Sequence, residues 1–361
     1  MNFQGKPIIV LLTLSMVLLA GCSFPGMIPE GHALPPARST ATATPLPALV
    51  FPQDEAPHHD LTEWWYYTGH LVGTDATGAA HTYGFELTFF QILRSTFGPL
   101  YIGHVAVTDL TRQQFASAQQ TQQLISIVPA STPGFDLSIG AWNMHGLAGH
   151  DHLTAGNPDY HFALDLLTQK AAPVLHNGNG LLTTFGPGFS YYYSRTRMAV
   201  QGTVLDHGVP LTVTGTAWMD HQWGNFLLDP SISWQWFSLQ LADNTEYMLF
   251  FLATPVNGQR VYGATRIAAN GTVTALTTGL SEEVLNMWTS PTTHTTYPAQ
   301  WRVTVPGGDL TVTPLLANQE FVTPANSLLH TAYWEGDCAV SGMIDSQPMT
   351  GASYVEITNF G

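Results

Sequence analysis

One short segment of the sequence concentrates side chains that could do chemistry. It runs from Trp218 to Trp223 and holds a carboxylate at Asp220 and an imidazole at His221. Titratable groups walled by aromatic rings are typical of a pocket that tunes proton transfer. Burial against the two indoles would disfavour the Asp220 anion and keep the acid protonated at neutral pH. The segment therefore predicts an acid–base site. The alternative is a buried Asp–His pair that satisfies itself at a structural corner.

Three more polar residues are candidates for the pocket. Glu63 and His70 lie seven positions apart on one predicted strand, so their side chains point to opposite faces and share a site only across a bulge. Glu86, on the next predicted strand, is a candidate inward carboxylate. The alternative for Glu86 is a structural ion pair with Arg195 or Arg197. All three are predicted to line the pocket.

The histidines do not predict a metal centre. The densest groups are His58-His59-Asp60 and His150-Asp151-His152, and neither has a zinc-ligand spacing or a supporting cysteine. A serine nucleophile is not indicated either, because Gly188-Phe189-Ser190-Tyr191 lacks the second glycine of a nucleophile elbow. We therefore expect neither a metal nor another cofactor.

Length and composition indicate a turn-rich globular protein of about two domains. The 361 residues are 45% hydrophobic and only 10% charged, with 33 glycines and 24 prolines but no collagen-like period. A net charge of −15 argues against nucleic acid as a partner, since phosphate binding needs clustered Lys and Arg. Lys6 and Lys170 are the only lysines, so the sequence offers no polybasic patch for anionic lipid.

The N-terminus predicts export and a lipid anchor. Lys6 precedes an apolar run, residues 8–20, that is too short to span a membrane, and small residues lead up to Cys22. This pattern resembles a bacterial lipobox, which implies removal of residues 1–21 and lipidation of Cys22; the alternative is an ordinary secretory peptide. Residues 22–50 are rich in Pro, Ala and Thr and predict a disordered tether. We therefore expect an extracytoplasmic lipoprotein attached to a membrane.

The remainder of the chain predicts an all-β fold. Short runs of aromatic and β-branched residues alternate with Gly, Pro, Asn and Asp turns, which is typical of an antiparallel barrel or sandwich. Strands are predicted at residues 63–72, 82–90, 101–108, 123–128, 160–167, 190–201, 233–241, 246–251, 263–267, 300–305, 310–314, 333–342 and 351–358, with a hairpin over 203–218 that turns at Asp206-His207-Gly208 and further turns at Asp75-Ala76-Thr77-Gly78 and Asp243-Asn244. One helix is predicted, from Ser281 to Trp288, with Ser281 as its N-cap and Glu282-Glu283 near its positive end.

The aromatic pattern occurs twice along the chain. Residues 64–71 followed by 83–90 have a counterpart in residues 233–241 followed by 246–251: a Trp-containing strand, a tight turn and a strand that ends in paired Phe. Duplication of one barrel would explain this repeat, and chance similarity in an aromatic-rich β protein is the alternative. The boundary between the two halves is predicted near Asp229, in a loop closed by Asp229-Pro230.

Five ordered motifs have counterparts in a known protein family. The motifs are Glu63-Trp64-Trp65-Tyr66-Tyr67-Thr68-Gly69-His70-Leu71, Tyr83-Gly84-Phe85-Glu86-Leu87-Thr88-Phe89-Phe90, Tyr191-Tyr192-Tyr193-Ser194-Arg195-Thr196-Arg197-Met198, Trp218-Met219-Asp220-His221-Gln222-Trp223-Gly224, and the terminal pair Tyr333-Trp334-Glu335-Gly336 and Gly351-Ala352-Ser353-Tyr354-Val355-Glu356-Ile357-Thr358. From about residue 51 to the C-terminus, the chain resembles the carotenoid 1,2-hydratase/AttH-like family, whose members are often labelled predicted secreted hydrolases.

The resemblance implies two tandem lipocalin-like antiparallel β-barrels, at residues 51–229 and 230–361, with a pocket between or within them. The family includes enzymes that hydrate a terminal double bond of acyclic carotenoids. For such a reaction Asp220 would be the acid, His221 the base or the group that orients water, and Trp223 would shape the site. Adjacent residues of a regular strand point to opposite faces, so the acid and the base converge only if the strand ends or bulges there.

Aromatic side chains complete the predicted site. The residues expected to line it are Trp65, Tyr66, Tyr192, Trp218 and Tyr247. Their ring faces would stabilise a carbocation by about 0.5–2 kcal/mol per contact. The expected substrate is a polyene, terpenoid or lipid-like hydrophobe that is hydrated, isomerised or cyclised. The alternative is a membrane-tethered, lipocalin-like carrier that binds such a molecule without reaction.

Overall fold

The computed structural model describes residues 46–93, 98–127, 133–182, 188–226, 232–253, 260–323, 327 and 331–358. Within them the protein is almost entirely β, with short 3-10 turns at Gln53–Glu55 and His176–Gly178. Among these residues no helix has the length and apolar character that crossing a bilayer requires. The predicted signal peptide, Cys22 and the tether up to residue 45 lie outside the described residues, and so does the predicted loop at Asp229-Pro230.

The first half of the chain forms one antiparallel sheet of twelve strands. The strands are β1 (Thr62–Thr74), β2 (Ala80–Ile92), β3 (Leu100–Asp109), β4 (Gln114–Gln123), β5 (Phe135–Ile139), β6 (Trp142–Leu147), β7 (His150–Gly156), β8 (Tyr160–Thr168), β9 (Val174–Leu175), β10 (Leu181–Leu182), β11 (Ser190–Asp206) and β12 (Val209–Gly224). Their order is β4-β3-β2-β1-β12-β11-β8-β7-β6-β5, and β9 and β10 pair with β11. The sheet is a nearly closed barrel, since Gly140, in the turn after β5, donates from its backbone N to Gln122 Oε1 of β4 at 3.2 Å.

The second half forms an antiparallel sheet of ten strands that curls into a half-barrel. The strands are β13 (Ser233–Leu241), β14 (Glu246–Ala253), β15 (Arg260–Ile267), β16 (Val273–Leu276), β17 (Ser281–Thr289), β18 (Thr296–Val305), β19 (Gly308–Pro314), β20 (Glu320–Val322), β21 (Ala332–Ile344) and β22 (Gln347–Thr358). Their order is β16-β15-β14-β13-β22-β21-β19-β18-β17, and β20 pairs with β21. The expected all-β, lipocalin-like architecture is therefore confirmed.

The two sheets have the same strand order. When β1 is matched with β13 and β12 with β22, the neighbours on both sides also correspond: β2 to β4 match β14 to β16, and β11 and β8 match β21 and β19. The hairpins of the predicted sequence repeat, β1–β2 and β13–β14, occupy equivalent positions. This agreement is what duplication of one barrel would produce.

Three hydrophobic clusters account for most of the packing. One fills the inside of the first sheet around Trp65, and another fills the inside of the second sheet around Trp301. The third, which includes Tyr66 and Trp236, joins the facing surfaces of the two sheets. The central strands are therefore buried on both faces, and successive side chains enter different cores.

The helix predicted from Ser281 to Trp288 is wrong. The segment is β17, which lies at the edge of the second sheet and pairs with β18. Register shifts occur on both sides of Asn286, so the alternation expected of a strand is interrupted. This irregular pattern, together with a Ser-Glu-Glu start that suits a helix, favoured the wrong assignment.

The strand predicted at residues 123–128 is also wrong. Gln123 is the last residue of β4, which begins at Gln114 and is rich in glutamine and partly exposed. A polar strand near the rim of a sheet lacks the apolar signal on which the prediction depended. The predicted turn at Asp206-His207-Gly208 is confirmed, with positive φ at His207 (50°) and Gly208 (85°), as a tight primed turn requires.

Candidate active site between the two sheets

Asp220 is the centre of a buried hydrogen-bond network on the face of the first sheet that meets the second. Its Oδ1 accepts from Ser194 Oγ and from Trp218 Nε1 (2.7 Å), and its Oδ2 accepts from the Tyr192 hydroxyl (2.5 Å). Trp236 Nε1 of the second sheet donates to the same hydroxyl at 3.0 Å. Burial raises the pKa of Asp220 to about 7, against the effect of these hydrogen bonds. The carboxyl group therefore fixes Tyr192 and exchanges its proton near neutral pH.

Strand register produces this arrangement. Asp220 lies opposite Ser194 of β11 and opposite Tyr66 of β1. Trp218 is two residues earlier on β12 and so points to the same side. His176, in the turn after β9, completes the network through Ser194 Oγ, which lies 2.7 Å from its Nε2. Two neighbouring strands, β11 and β12, thus supply the described side chains that hydrogen-bond to the carboxylate.

A second group of acids lies on the same interface. Glu86 of β2 and Glu335 of β21 are fully buried, and the Oε2 atom of each has no hydrogen-bond partner among the described residues. The Tyr66 hydroxyl donates to Glu335 Oε1 at 2.6 Å, and the Tyr333 hydroxyl donates to Glu86 Oε1 at 3.4 Å. Burial raises the pKa of Glu86 to about 7, and burial with repulsion from Glu86 raises that of Glu335 well above its usual range. Both effects favour the protonated form of Glu335.

Glu356 is the accessible member of this group. It lies opposite Glu335 on the adjacent strand and accepts a hydrogen bond from Trp234 Nε1 at 3.3 Å. Removal from water, together with repulsion from Glu86, raises the pKa of Glu356 to about 8. Glu356, Trp234 and Trp64 each keep part of their surface exposed. Solvent therefore reaches this part of the interface, beside two indole rings.

Contacts between polar and charged side chains connect the sheets beside the acids. His70 Nδ1 of the first sheet lies 2.8 Å from Asp337 Oδ1 of the second. Glu246 of the second sheet pairs with two cations of the first half: Arg197 Nε at 2.6 Å and Lys170 Nζ at 3.2 Å. Because both groups of contacts are largely buried, they hold the two sheets in one relative position.

On the inner face of the first sheet lies a different polar cluster. Glu63 Oε1 is 2.8 Å from His221 Nε2 and 2.7 Å from His58 Nδ1. Trp223 stacks on His58 at 4.0 Å between ring centroids, and Trp65 stacks on His221 at 4.5 Å. Burial lowers the pKa of His221 to about 4. Burial also opposes the charged form of His58, but hydrogen bonds to carboxylates outweigh it and raise that pKa to about 9.

The expected convergence of Asp220 and His221 on one site is wrong. β12 neither ends nor bulges at these residues, since Tyr66 lies opposite Asp220 and Trp65 opposite His221 in unbroken register. The nearby bulge is in β11, between residues 195 and 198. The two side chains consequently enter different cores. Their individual catalytic roles remain predictions.

The eleven predicted site residues divide into three groups. Six lie at the interface between the sheets: Tyr66, His70, Glu86, Tyr192, Trp218 and Asp220. Four lie inside the first barrel: Glu63, Trp65, His221 and Trp223. Tyr247 lies inside the second sheet, where its hydroxyl accepts from Arg266 Nε at 3.3 Å. The eleven residues therefore do not line a single pocket. Glu63 and His70 point to opposite faces of the sheet, as their spacing predicts.

The alternative prediction for Glu86, an ion pair with Arg195 or Arg197, is wrong. Arg195 pairs with Glu55, in the turn before β1, and Arg197 pairs with Glu246. Glu86 instead faces the second sheet, and its Oε2 has no hydrogen-bond partner in the part of the chain that the structure describes.

Glu335 and Glu356 were missed as site residues, although both lie in motifs that carry the resemblance. Glu356 is the lone acid of its strand, which is one available signal, whereas Glu335 shares its strand with Asp337. The repeat supplies a second signal, because Glu356 occupies on β22 the position that Asp220 occupies on β12. Each lies opposite an aromatic residue of the first strand in its sheet: Trp236 for Glu356 and Tyr66 for Asp220.

Solved structures of known proteins resemble this chain, and two of them cover most of it. A putative AttH from Nitrosomonas europaea is 30% identical, and the match covers 89% of this chain and all of that chain with a TM-score of 0.76. Kievitone hydratase from Nectria haematococca is 19% identical, with 86% of this chain and 93% of that chain covered and a TM-score of 0.70, which supports the shared fold.

A sequence relative also carries the name of a hydratase. Kievitone hydratase from Fusarium solani subsp. phaseoli is 25% identical over 206 residues, which are 55% of this chain and 57% of that protein. The match thus spans little more than half of that relative. The profile of one family, described as AttH-like, matches residues 42–360 of this chain. The chain therefore belongs to the AttH-like family.

Proposed function

We propose that the interface between the two sheets is a hydratase site, which protonates a carbon–carbon double bond of a hydrophobic molecule and adds water to it. The observation that carries the proposal is the cluster of Glu86, Glu335 and Glu356, with two buried carboxyl oxygens that have no partner among the described residues. Perturbed acids in an aromatic setting are typical of functional sites. The hydratase relative supports the same reaction class.

Glu356 is the proposed acid. It is partly exposed and its raised pKa, about 8, keeps it protonated at pH 7. Transfer of its proton to the alkene forms a C–H bond and leaves a carbocation on the neighbouring carbon. The indole faces of Trp64 and Trp234 would stabilise that cation, each by about 0.5–2 kcal/mol.

Glu86 is the proposed base. Water adds to the cation through its oxygen, and the resulting oxonium gives a proton to the Glu86 carboxylate. With a pKa of about 7, Glu86 is ionised in a large fraction of molecules at neutral pH. Proton return from Glu86 to Glu356 closes the cycle, and the net reaction is alkene plus water to alcohol. Asp220 positions Tyr192 and Trp218 beside these groups.

The proposed substrate is a polyene, terpenoid-like or similarly apolar molecule. The interface offers aromatic rings and neutral acids. Among the described residues, its cations are already held in the buried ion pairs with Glu246, so none is left to bind an anionic group of a substrate. The direct test incubates the full-length chain, in detergent, with lycopene and with kievitone in H₂¹⁸O, followed by mass spectrometry of the extract. The expected product gains one water that carries ¹⁸O.

Two variants make the test specific. Glu356→Gln keeps the shape of the side chain but removes the acid, and we expect a rate about 10²–10⁴-fold lower. Glu283→Gln, at an exposed site on β17, is the control and should react like the wild type. Conversion that survives in Glu356→Gln would exclude Glu356 as the acid. Either probe retained unchanged, with no product, would favour the carrier function.

We propose in addition that the protein is a lipoprotein attached to a membrane through Cys22. The support is the sequence alone: Lys6, the apolar run at residues 8–20 and the small residues before the cysteine. Mass spectrometry of the N-terminal peptide from membranes should find a diacylglyceryl group on Cys22 and no residues before it. The Cys22→Ser variant should lose the modification and leave the membrane fraction, whereas an unmodified mature N-terminus in the wild type would overturn this assignment.

A further inference from the structure

Inside the first barrel, two imidazoles converge on one carboxylate. His58 precedes β1, Glu63 lies in β1 and His221 lies in β12, and one potential ligand atom from each falls within 4.8 Å of the other two. Glu63 Oε1 is the shared partner, at 2.7 Å from His58 Nδ1 and 2.8 Å from His221 Nε2. The strand register explains the contact, since Glu63 lies opposite Trp223 and is therefore a diagonal neighbour of His221.

We propose that His58, Glu63 and His221 bind a divalent transition-metal ion, with Zn²⁺ as the best-fitting ion. Two imidazole nitrogens and one carboxylate oxygen form a donor set that zinc accepts with a fourth position left for water. The bond lengths expected for such a site, about 2.0–2.2 Å, place tetrahedral donors about 3.4 Å apart. The two contacts of Glu63 Oε1 with the imidazole nitrogens, at 2.7 and 2.8 Å, would have to lengthen by roughly 0.6 Å to reach that separation. Small side-chain movements are enough for this change.

The second oxygen of Glu63 and the second ring nitrogen of His221, which would not bind the metal, already have polar partners. Glu63 Oε2 accepts from the His58 backbone N and from Gln91 Nε2, both at 2.8 Å. His221 Nδ1 lies 3.3 Å from the Tyr193 hydroxyl, to which it would donate when Nε2 binds metal. Metal-binding side chains in proteins are oriented by such outer contacts. Buried polar atoms need such partners with or without a metal, and here the partners leave Glu63 Oε1 and His221 Nε2 facing each other at the proposed position of the ion.

The burial of the three side chains and the access of solvent to them also fit a metal site. Glu63 and His221 are fully buried, whereas the His58 side chain is 19% exposed. His58 also has Asp54 Oδ1 at 3.6 Å from its Nε2, so a carboxylate lies behind the exposed ligand. A metal ion would enter from the His58 side and displace the protons that the two short contacts share. Trp65 and Trp223, stacked on the two imidazoles, fix the planes of the rings.

The test measures metal binding directly and needs no substrate. The full-length chain in detergent is treated with a chelator, dialysed and titrated with Zn²⁺ by calorimetry and with Co²⁺ by visible absorption. We expect about one ion per chain and the d–d bands of a tetrahedral Co²⁺ site. His58→Ala removes the most exposed ligand and should weaken binding at least about 10–100-fold. Glu63→Gln keeps the shape of the carboxylate and should weaken binding similarly.

His59→Ala is the matched control, because His59 is adjacent to His58 but exposed. It should bind like the wild type. Circular dichroism of each variant establishes that a loss of binding is not a loss of fold. Wild-type protein that is folded but binds neither ion would overturn the proposal and leave a hydrogen-bonded triad. Binding that persists in both His58→Ala and Glu63→Gln would also overturn it, since the ion would then lie elsewhere. Neither result bears on hydration at the interface.

Discussion

At the scale of single residues, the buried acids should make stability depend on pH in an unusual direction. The Asp220 pKa is about 7 in the folded protein and near 3.8 when unfolded. Between about pH 4 and 7, Asp220 therefore keeps a proton in the folded chain that it has lost in the unfolded chain. The free energy of unfolding falls as the pH rises through this window. Relative to Asp220→Asn, the wild type should lose up to about 1.4 kcal/mol of unfolding free energy per pH unit.

Urea unfolding of both proteins at pH 4.5, 5.5 and 6.5 measures this difference. The subtraction cancels the contributions of other buried acids, because the two proteins share them. Asp159→Asn is the control, since Asp159 is exposed and should give the same pH profile as the wild type. A difference between wild type and Asp220→Asn that stays constant with pH would mean that Asp220 is ionised throughout.

Sequence reasoning identified part of the interface and could not assemble it. Asp220 was recognisable because an acid between two Trp residues is rare in a strand. Glu335 and Glu356 were not, because their importance depends on which face of which strand meets the other sheet. That relation is set by pairing between residues more than a hundred positions apart, and no local pattern records it.

At the scale of elements, a buried ion pair ties the segment before β1 to the long strand β11. Arg195 Nη2 contacts Glu55 Oε1, and both side chains are almost fully buried. Arg195→Met would leave the Glu55 carboxylate buried without its partner, which typically costs about 3–5 kcal/mol of unfolding free energy. Chemical denaturation of wild type and variant measures the loss.

The exposed pair Arg302–Glu283 is the matched control for this prediction. Its side chains are 47% and 61% exposed, so Arg302→Met should cost less than about 1 kcal/mol. Adding Glu55→Gln to Arg195→Met should recover part of the loss, because it removes the stranded charge. Equal costs for the two arginine variants would contradict the view that burial makes the Glu55 pair important.

The elements themselves were largely predictable where both faces are apolar or the turn chemistry is strong. The β11–β12 hairpin is an example, since Asp206-His207-Gly208 dictates its turn. Strands β5, β6, β7, β9, β10, β16 and β20 were not predicted, and two assignments were wrong: β4, a glutamine-rich strand, and β17, a bulged edge strand. In both, pairing with a neighbouring strand outweighs weak local preference, which single-sequence patterns do not capture.

At the scale of the whole molecule, the proposed function requires the two sheets to approach closely. They do so at Gly84 of β2, where an added Cβ atom would lie 2.7 Å from the Cβ of Asp337 in the second sheet. Asp337 also pairs with His70, so the same contact holds the sheets together. Gly84→Val would force them apart, and overpacking of this kind typically costs about 1–3 kcal/mol.

The Gly84→Val variant should therefore lose unfolding free energy in urea. It should also lose hydration activity, because Glu86 and Glu356 come from opposite sheets. Ala80→Val places the same side chain at an exposed position of the same strand and should leave both properties unchanged. If Gly84→Val lost stability but kept activity, the acids would not need the two sheets to meet, and one sheet alone would carry the reaction. If it lost activity with full stability, the spacing of the sheets itself would set the geometry of proton transfer.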